Sequence, residues 1–169
     1  MKELTLPLAL TIMNVTLIFT LENFMPLSSR FTIALHMLTV MDVFKDEKIT
    51  SQFMAGSIGV NPVIIRRLLS QLRTADIVTV KRGSGGASIS RDPKTISYLD
   101  VYEAVEVVSE VGLFKFHEQP NPACPVGKTI HSLLDDDLLQ AQLALETYLK
   151  NKTVADLLGN AQEKIIDQA

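Results

Sequence analysis

"PVIIRRLLSQLRTADIVTVKRGSGGASIS" (Pro62–Ser90) is the stretch on which the fold turns. Its first half repeats apolar residues at Ile64/Ile65, Leu68/Leu69 and Leu72, a helical period with proline at the first turn, where an unpaired amide is no loss. The other side of that helix is polar: Asn61, Arg66, Arg67, Ser70, Gln71, Arg73 and Thr74. "IVTV" and "ASIS" then read as two short strands, and three glycines, Gly83, Gly85 and Gly86, make the turn between them. A Lys81–Arg82 pair stands immediately before that turn, so the hairpin has a flexible, cationic tip.

Working upstream, Phe31, Ala34, Leu35, Leu38 and Met41 recur with a helical period behind a serine cap at Ser28 or Ser29. "FKDEK" closes that helix, Thr50 or Ser51 caps a second one ending at Ile58, and "GVNP" breaks the chain before the third. Downstream, "DPKTIS" is a turn and Ser97 caps a helix reaching about Val108. "GLFKFHEQPNPACPVGK" holds Pro120, Pro122 and Pro125 and cannot be one regular element. A long helix then runs from Val126 to Lys150, with an apolar seam at Ile130, Leu134, Leu138, Ala141, Leu145 and Tyr148 suited to packing on another helix, a partner subunit's included. A short helix in "TVADLLG" and a polar tail after Asn160 end the chain.

The order helix, helix, turn, helix, strand, glycine turn, strand is that of a winged helix-turn-helix. Charge supports the same reading. Ser29–Arg91 holds nine Lys/Arg against four acids, net +5, while the rest of the chain holds seven against fifteen, net −8. A basic half on an acidic protein suits a polyanionic partner. In this architecture the third helix buries one face and offers the other to the major groove, and a glycine-tipped wing brings an arginine to the minor groove. The expected contacts with double-stranded DNA are Asn61, Pro62, Val63, Ile64, Arg66, Arg67 and Ser70 on the helix, with Lys81, Arg82 and Ser84 on the wing.

"LSSRFTIALHML", "VNPVIIRRLLSQLRTADIVTVKRGSGGASISRDPKTISYLDVYEAVE" and "NPACPVGKTI" resemble the Rrf2 family of bacterial transcription regulators over about Met25–Asn151. That family includes the iron–sulfur cluster regulator and the cysteine-metabolism repressor, and "PNPACPVGK" points to its YwnA-like branch. The resemblance implies a homodimer joined through the Val126–Lys150 helix and repression by occupying a pseudo-palindromic operator. It places Asn61–Ile64, Arg66 and Arg67 as groove readers and Arg82 in the minor groove. Arg66 stands where the iron–sulfur regulator carries an acidic reader, so the sequence preference should differ.

Cluster-binding members of the family use three cysteines, and this chain has only Cys124. Thiolates hold such clusters, so no iron–sulfur cofactor is expected, nor any other. Two readings of Cys124 stand side by side: a redox-sensing thiol near Lys128, or a small buried residue at a helix start. His117 and His131 lie seven residues to either side of it, without the spacing of a metal site, and no metal is expected. "VGKT" (Val126–Thr129) copies the end of a phosphate loop, but Pro122 stands where its glycine is required. Asp135–Asp137 read as a solvated face, and His36, among apolar neighbours, as a core or interface residue. No catalytic constellation is present, so an enzyme is not expected.

Leu4–Leu21 carries no charge. Three readings fit it: sequence upstream of a start at Met25, a hydrophobic helix packed on the domain, or a membrane anchor. Eighteen residues interrupted by Pro7 and Asn14 make a poor span, so a membrane partner is not expected. The chain as a whole reads as mainly α with a small β-hairpin, a winged helix-turn-helix plus a long C-terminal dimerisation helix, working in the cytoplasm. Its expected divisions are a hydrophobic extension (1–24), the DNA-binding domain (25–96), a dimerisation and sensor region (97–152), and a terminal helix and tail (153–169). The rival reading is a winged helix retained as a protein-interaction module that regulates a partner enzyme.

Overall fold

A computed structural model describes residues 29–81, 86–105 and 119–167. Helices α1 (Ser29–Val43), α2 (Ser51–Ile58) and α3 (Pro62–Thr74) are followed by the antiparallel pair β1 (Val78–Lys81) and β2 (Gly86–Ile89). A 3-10 turn (Pro93–Thr95) leads to α4 (Tyr98–Val105), and α5 (Pro125–Lys150) and α6 (Val154–Ile166) complete the order. Extension 1–24, the wing tip, the helix end expected near Val108 and His117 lie outside the described residues.

Local chemistry sets the boundaries. The Thr50 hydroxyl accepts from the Phe53 N–H to start α2, and Gly59 ends it in the left-handed conformation at φ +75°. Asn61 Oδ1 accepts from the Val63 N–H and opens α3, with Pro62 at its first turn. Ser97 and Asp100 cap α4 reciprocally: the Asp100 N–H donates to Ser97 Oγ and the Ser97 N–H to Asp100 Oδ2. Thr153 and Asp156 repeat the device at α6. The two caps are stitched together, since the Tyr98 N–H donates to the Lys152 carbonyl and the Val154 N–H to the Ile96 carbonyl, both at 2.8 Å.

One apolar core joins these elements. Ala34, Met37, Leu38 and Met41 of α1 meet Ile65, Leu68 and Leu72 of α3, with Val101 and Val105 of α4 closing one side. Val154 and Leu158 belong to the same cluster, so the start of α6 is part of the core rather than an appendage. Among the described residues no polar side chain is buried in it. Register in the hairpin pairs Val78 with Ile89 and Lys81 with Gly86. A third segment joins the hairpin at its outer edge: the Ala87 N–H donates to the Ile49 carbonyl at 2.9 Å.

Three expectations need correction. His36 is exposed, because α1 turns Ala34, Met37, Leu38, Val40 and Met41 inward and leaves position 36 on the outer arc; this overturns the core reading and leaves the interface reading as an expectation. The last helix does not stop at Asn160 but continues to Ile166; Ala161, Gln162, Glu163 and Lys164 are good helix formers that need no burial to extend it. Gln71, assigned to the polar face of α3, is half-buried, and its Nε2 donates to the Val105 carbonyl at 3.4 Å.

Candidate nucleic-acid interface

Helix α3 divides its residues by angle. At about 100° per residue, Ile65, Leu68, Leu69 and Leu72 share one arc, and all four are buried. Arg66, Ser70 and Arg73 fall within about 60° of one another on the side next to Leu69, and Val63, Thr74 and Arg67 continue round the helix opposite the buried arc. All six are exposed. Ile64 is also exposed, at 41%, yet it stands about 160° from Arg66, at the edge of the buried face. Pro62 is half-buried, and Asn61 uses its carboxamide oxygen as the helix cap.

A shallow groove of about 240 Å³ separates α3 from β1, and its walls are Arg66, Leu69, Ser70, Arg73 and Val80. The helix's cationic face and the strand leading to the wing therefore border one concave surface. Among the described residues, Arg66, Arg67 and Arg73 enter no ion pair and donate no side-chain hydrogen bond. Lys81 ends β1, exposed, on the path to the tip. Arg82 and Ser84, the expected wing contacts, lie outside the described residues.

Not every basic residue of the positive half faces this groove. Arg91 Nη1 donates to the Thr95 carbonyl at 2.7 Å, and its Nη2 lies 3.8 Å from Asp100 Oδ2. Arg91 thus ties the root of the hairpin to α4, a structural duty that sequence counting could not separate from the surface charge. Backbone geometry also contributes. Asp76 turns the chain between α3 and β1 at φ +54°, and its carbonyl accepts from Ser90 Oγ at 2.6 Å, fixing the root of β2 against the end of α3.

Cys124 stands apart from this surface, at the N-cap of α5. It is exposed, which excludes the buried reading. No hydrogen bond of ordinary geometry caps the helix through its sulfur, but the amides of Gly127 and Val126 lie close enough to favour the thiolate and hold the thiol below its usual range. The Asn121 carbonyl packs so closely against Gly127 that a side chain there would collide with it, so this loop is seated tightly on the start of α5.

Comparison with known proteins agrees with the geometry. Residues 27–160 match the sequence model of the Rrf2 family, described as an iron-dependent transcriptional regulator. The chain is 42% identical over 134 residues to a Bacillus subtilis protein described as an HTH-type transcriptional regulator, YwnA, covering 79% of this chain and 98% of that one. A crystal structure described as a DNA-binding protein is 40% identical, with a TM-score of 0.61 over 77% of this chain and 99% of its own. A transcriptional regulator from Lactobacillus plantarum, 25% identical, superposes with a TM-score of 0.63 over 79% and 90% of the two chains.

The family description names iron, but the side chains of this chain do not fit an iron–sulfur cluster. Its single cysteine is exposed at a helix start, and among the described residues no three His, Cys, Asp or Glu side chains converge on a point. One thiolate per chain does not fit an iron–sulfur cluster. Fold, groove and sequence agree on the rest: this chain belongs to the Rrf2 family of transcriptional regulators.

Proposed function

We propose that the protein is a homodimeric, cytoplasmic repressor that occupies a pseudo-palindromic operator and works without an iron–sulfur cluster. The observation that carries this reading is the groove in which Arg66, Ser70 and Arg73 of α3 face Val80 of β1, with the arginines free of acidic partners among the described residues. Unpaired guanidinium groups on a convex helix suit phosphates and base edges, and the neighbouring strand ends at Lys81, next in sequence to the expected wing contacts Arg82 and Ser84. Pairing two copies through α5 would place two reading helices at half-sites about 34 Å apart. No helix among the described residues is long and apolar enough to cross a membrane.

Titration of the protein against the DNA upstream of its own gene tests this. The affinity should fall steeply between about 50 and 200 mM salt, with a log–log slope of about −0.9 for each phosphate neutralised. Arg66→Ala should weaken binding by about 1–3 kcal/mol, and Arg73→Ala should make the salt slope shallower by about one. Arg82→Ala should weaken binding with the dimer unchanged. Salt-independent binding, or three silent substitutions, would refute the assignment.

A further inference from the structure

We infer that α3 reads a thymine and a guanine placed one or two base pairs apart, Val63 through the thymine methyl group and Arg66 through the guanine edge, while Arg67 and Arg73 hold phosphates. This rests on the DNA-binding reading above and goes on to name the bases.

Val63 is 60% exposed, in the first turn of a helix whose other exposed residues, Ile64 at the edge of the buried face apart, are hydrophilic. No described part of the chain covers it, and it sits beside arginines rather than in an apolar patch. Apart from Ile64, at the edge of the buried face, the exposed residues of α3 span about 120°, from Arg73 to Arg67, and Ser70, Val63, Arg66 and Thr74 lie nearest the centre line of that arc. A helix lying in the major groove presents that centre line to the base edges and its flanks to the two phosphate rows, and its N-terminal residues reach deepest. Val63 and Arg66 meet both conditions. Arg67 stands about 100° from Arg66, on the flank, and Arg73 lies in the last turn.

The chemistry of the two central side chains is narrow. A branched hydrocarbon offers nothing to a donor or acceptor but fits the C5-methyl group, which thymine alone carries. A guanidinium with no competing carboxylate matches the paired acceptors O6 and N7 of guanine. Three residues at about 1.5 Å each separate them by about 4.5 Å along the axis, against about 3.4 Å for one base step, so the two bases are neighbours or one pair apart. Ser70, a turn beyond Arg66, bonds to either kind of base edge and adds no choice of its own.

The full chain would first select duplexes from a randomised pool, and the enriched half-site should contain the thymine and guanine so spaced. Replacing that thymine with uracil removes only the methyl group and should weaken binding about fourfold, the value of one buried methyl. Replacing the guanine with 7-deazaguanine removes N7 and should weaken it at least about fivefold, as should Arg66→Ala. Val63→Ala should bind about fourfold less tightly and become indifferent to uracil. Arg66→Ala should become indifferent to 7-deazaguanine, and Arg67→Ala should weaken selected and scrambled duplexes alike. Circular dichroism confirms that each variant is folded. A selected site that tolerates uracil at every thymine, or a Val63→Ala protein still sensitive to it, overturns this assignment while leaving DNA binding standing. Failure to retain any duplex at low salt overturns DNA binding itself.

Discussion

Gly86 adopts φ +68°, and a Cβ added there would come within 2.8 Å of both the amide nitrogen and the carbonyl oxygen of Ile49. The next residue, Ala87, donates its N–H to that same carbonyl. Two separate demands therefore fall on one position: a left-handed backbone and room for another main chain. Gly86→Ala should cost about 2–4 kcal/mol, summing the left-handed penalty and the displacement of β2 from the Ile49 segment. Gly56 is the internal comparison. It lies inside α2, where an added methyl would meet nothing within 4 Å, so Gly56→Ala should be neutral or stabilising by about 0.5–1 kcal/mol. Urea denaturation of the two variants separates the cases. The glycine cluster was legible as a turn because its composition is local; the reason Gly86 itself cannot change was not, because the atom it would strike belongs to a distant stretch of chain.

At the scale of elements, α3 shows what periodicity can and cannot settle. Ile65, Leu68, Leu69 and Leu72 repeat at helical spacing and all are buried, and the hairpin follows with each strand one residue nearer the turn than expected. Gln71 escapes that logic. It is polar by composition, but its angle on the helix faces α4, where its Nε2 reaches the Val105 carbonyl and its Oε1 is buried with no partner. A long hydrogen bond returns little, and an unsatisfied buried acceptor costs about 1–3 kcal/mol. Gln71→Leu, of similar size, should therefore leave thermal stability unchanged or raise it, although it deletes a hydrogen bond. A melting temperature lowered by several degrees would show that the amide contributes more than its geometry suggests. Arg91 is illegible for the same reason: only the fold shows that its partners are Thr95 and Asp100 rather than solvent.

At the scale of the molecule, α5 is a helix of 26 residues, about 39 Å long, of which Leu149 alone is buried in a single chain. Its expected seam is open along its length: Leu134 and Tyr148 are exposed, and Ile130, Leu138 and Leu145 only half-covered. Sequence spacing picked out this seam, yet Leu133, Leu139 and Leu143, off it, are more exposed than Leu134, and spacing could not say whether the chain's own core or another molecule covers either set. The core is already complete without most of α5, since α4 and the start of α6 close it from that side. A helix that leaves Leu133, Leu134, Leu139 and Leu143 in water gains free energy by pairing, and a two-fold pairing buries the same face from both copies. Leu134→Glu would then place two carboxylates in the interface of every dimer, each costing several kcal/mol unless paired. Its dimer dissociation constant should rise at least about 100-fold, by analytical ultracentrifugation, with the chain still folded. Asp136→Arg, an equal or larger change of charge on the side of the helix away from the seam, should leave the constant within a few-fold. Under the proposed pairing of two copies on two half-sites, Leu134→Glu should also lose most affinity for a palindromic duplex while keeping that for an isolated half-site. A monomer that binds the palindrome as tightly as the native protein would show that α5 does not join the two reading helices.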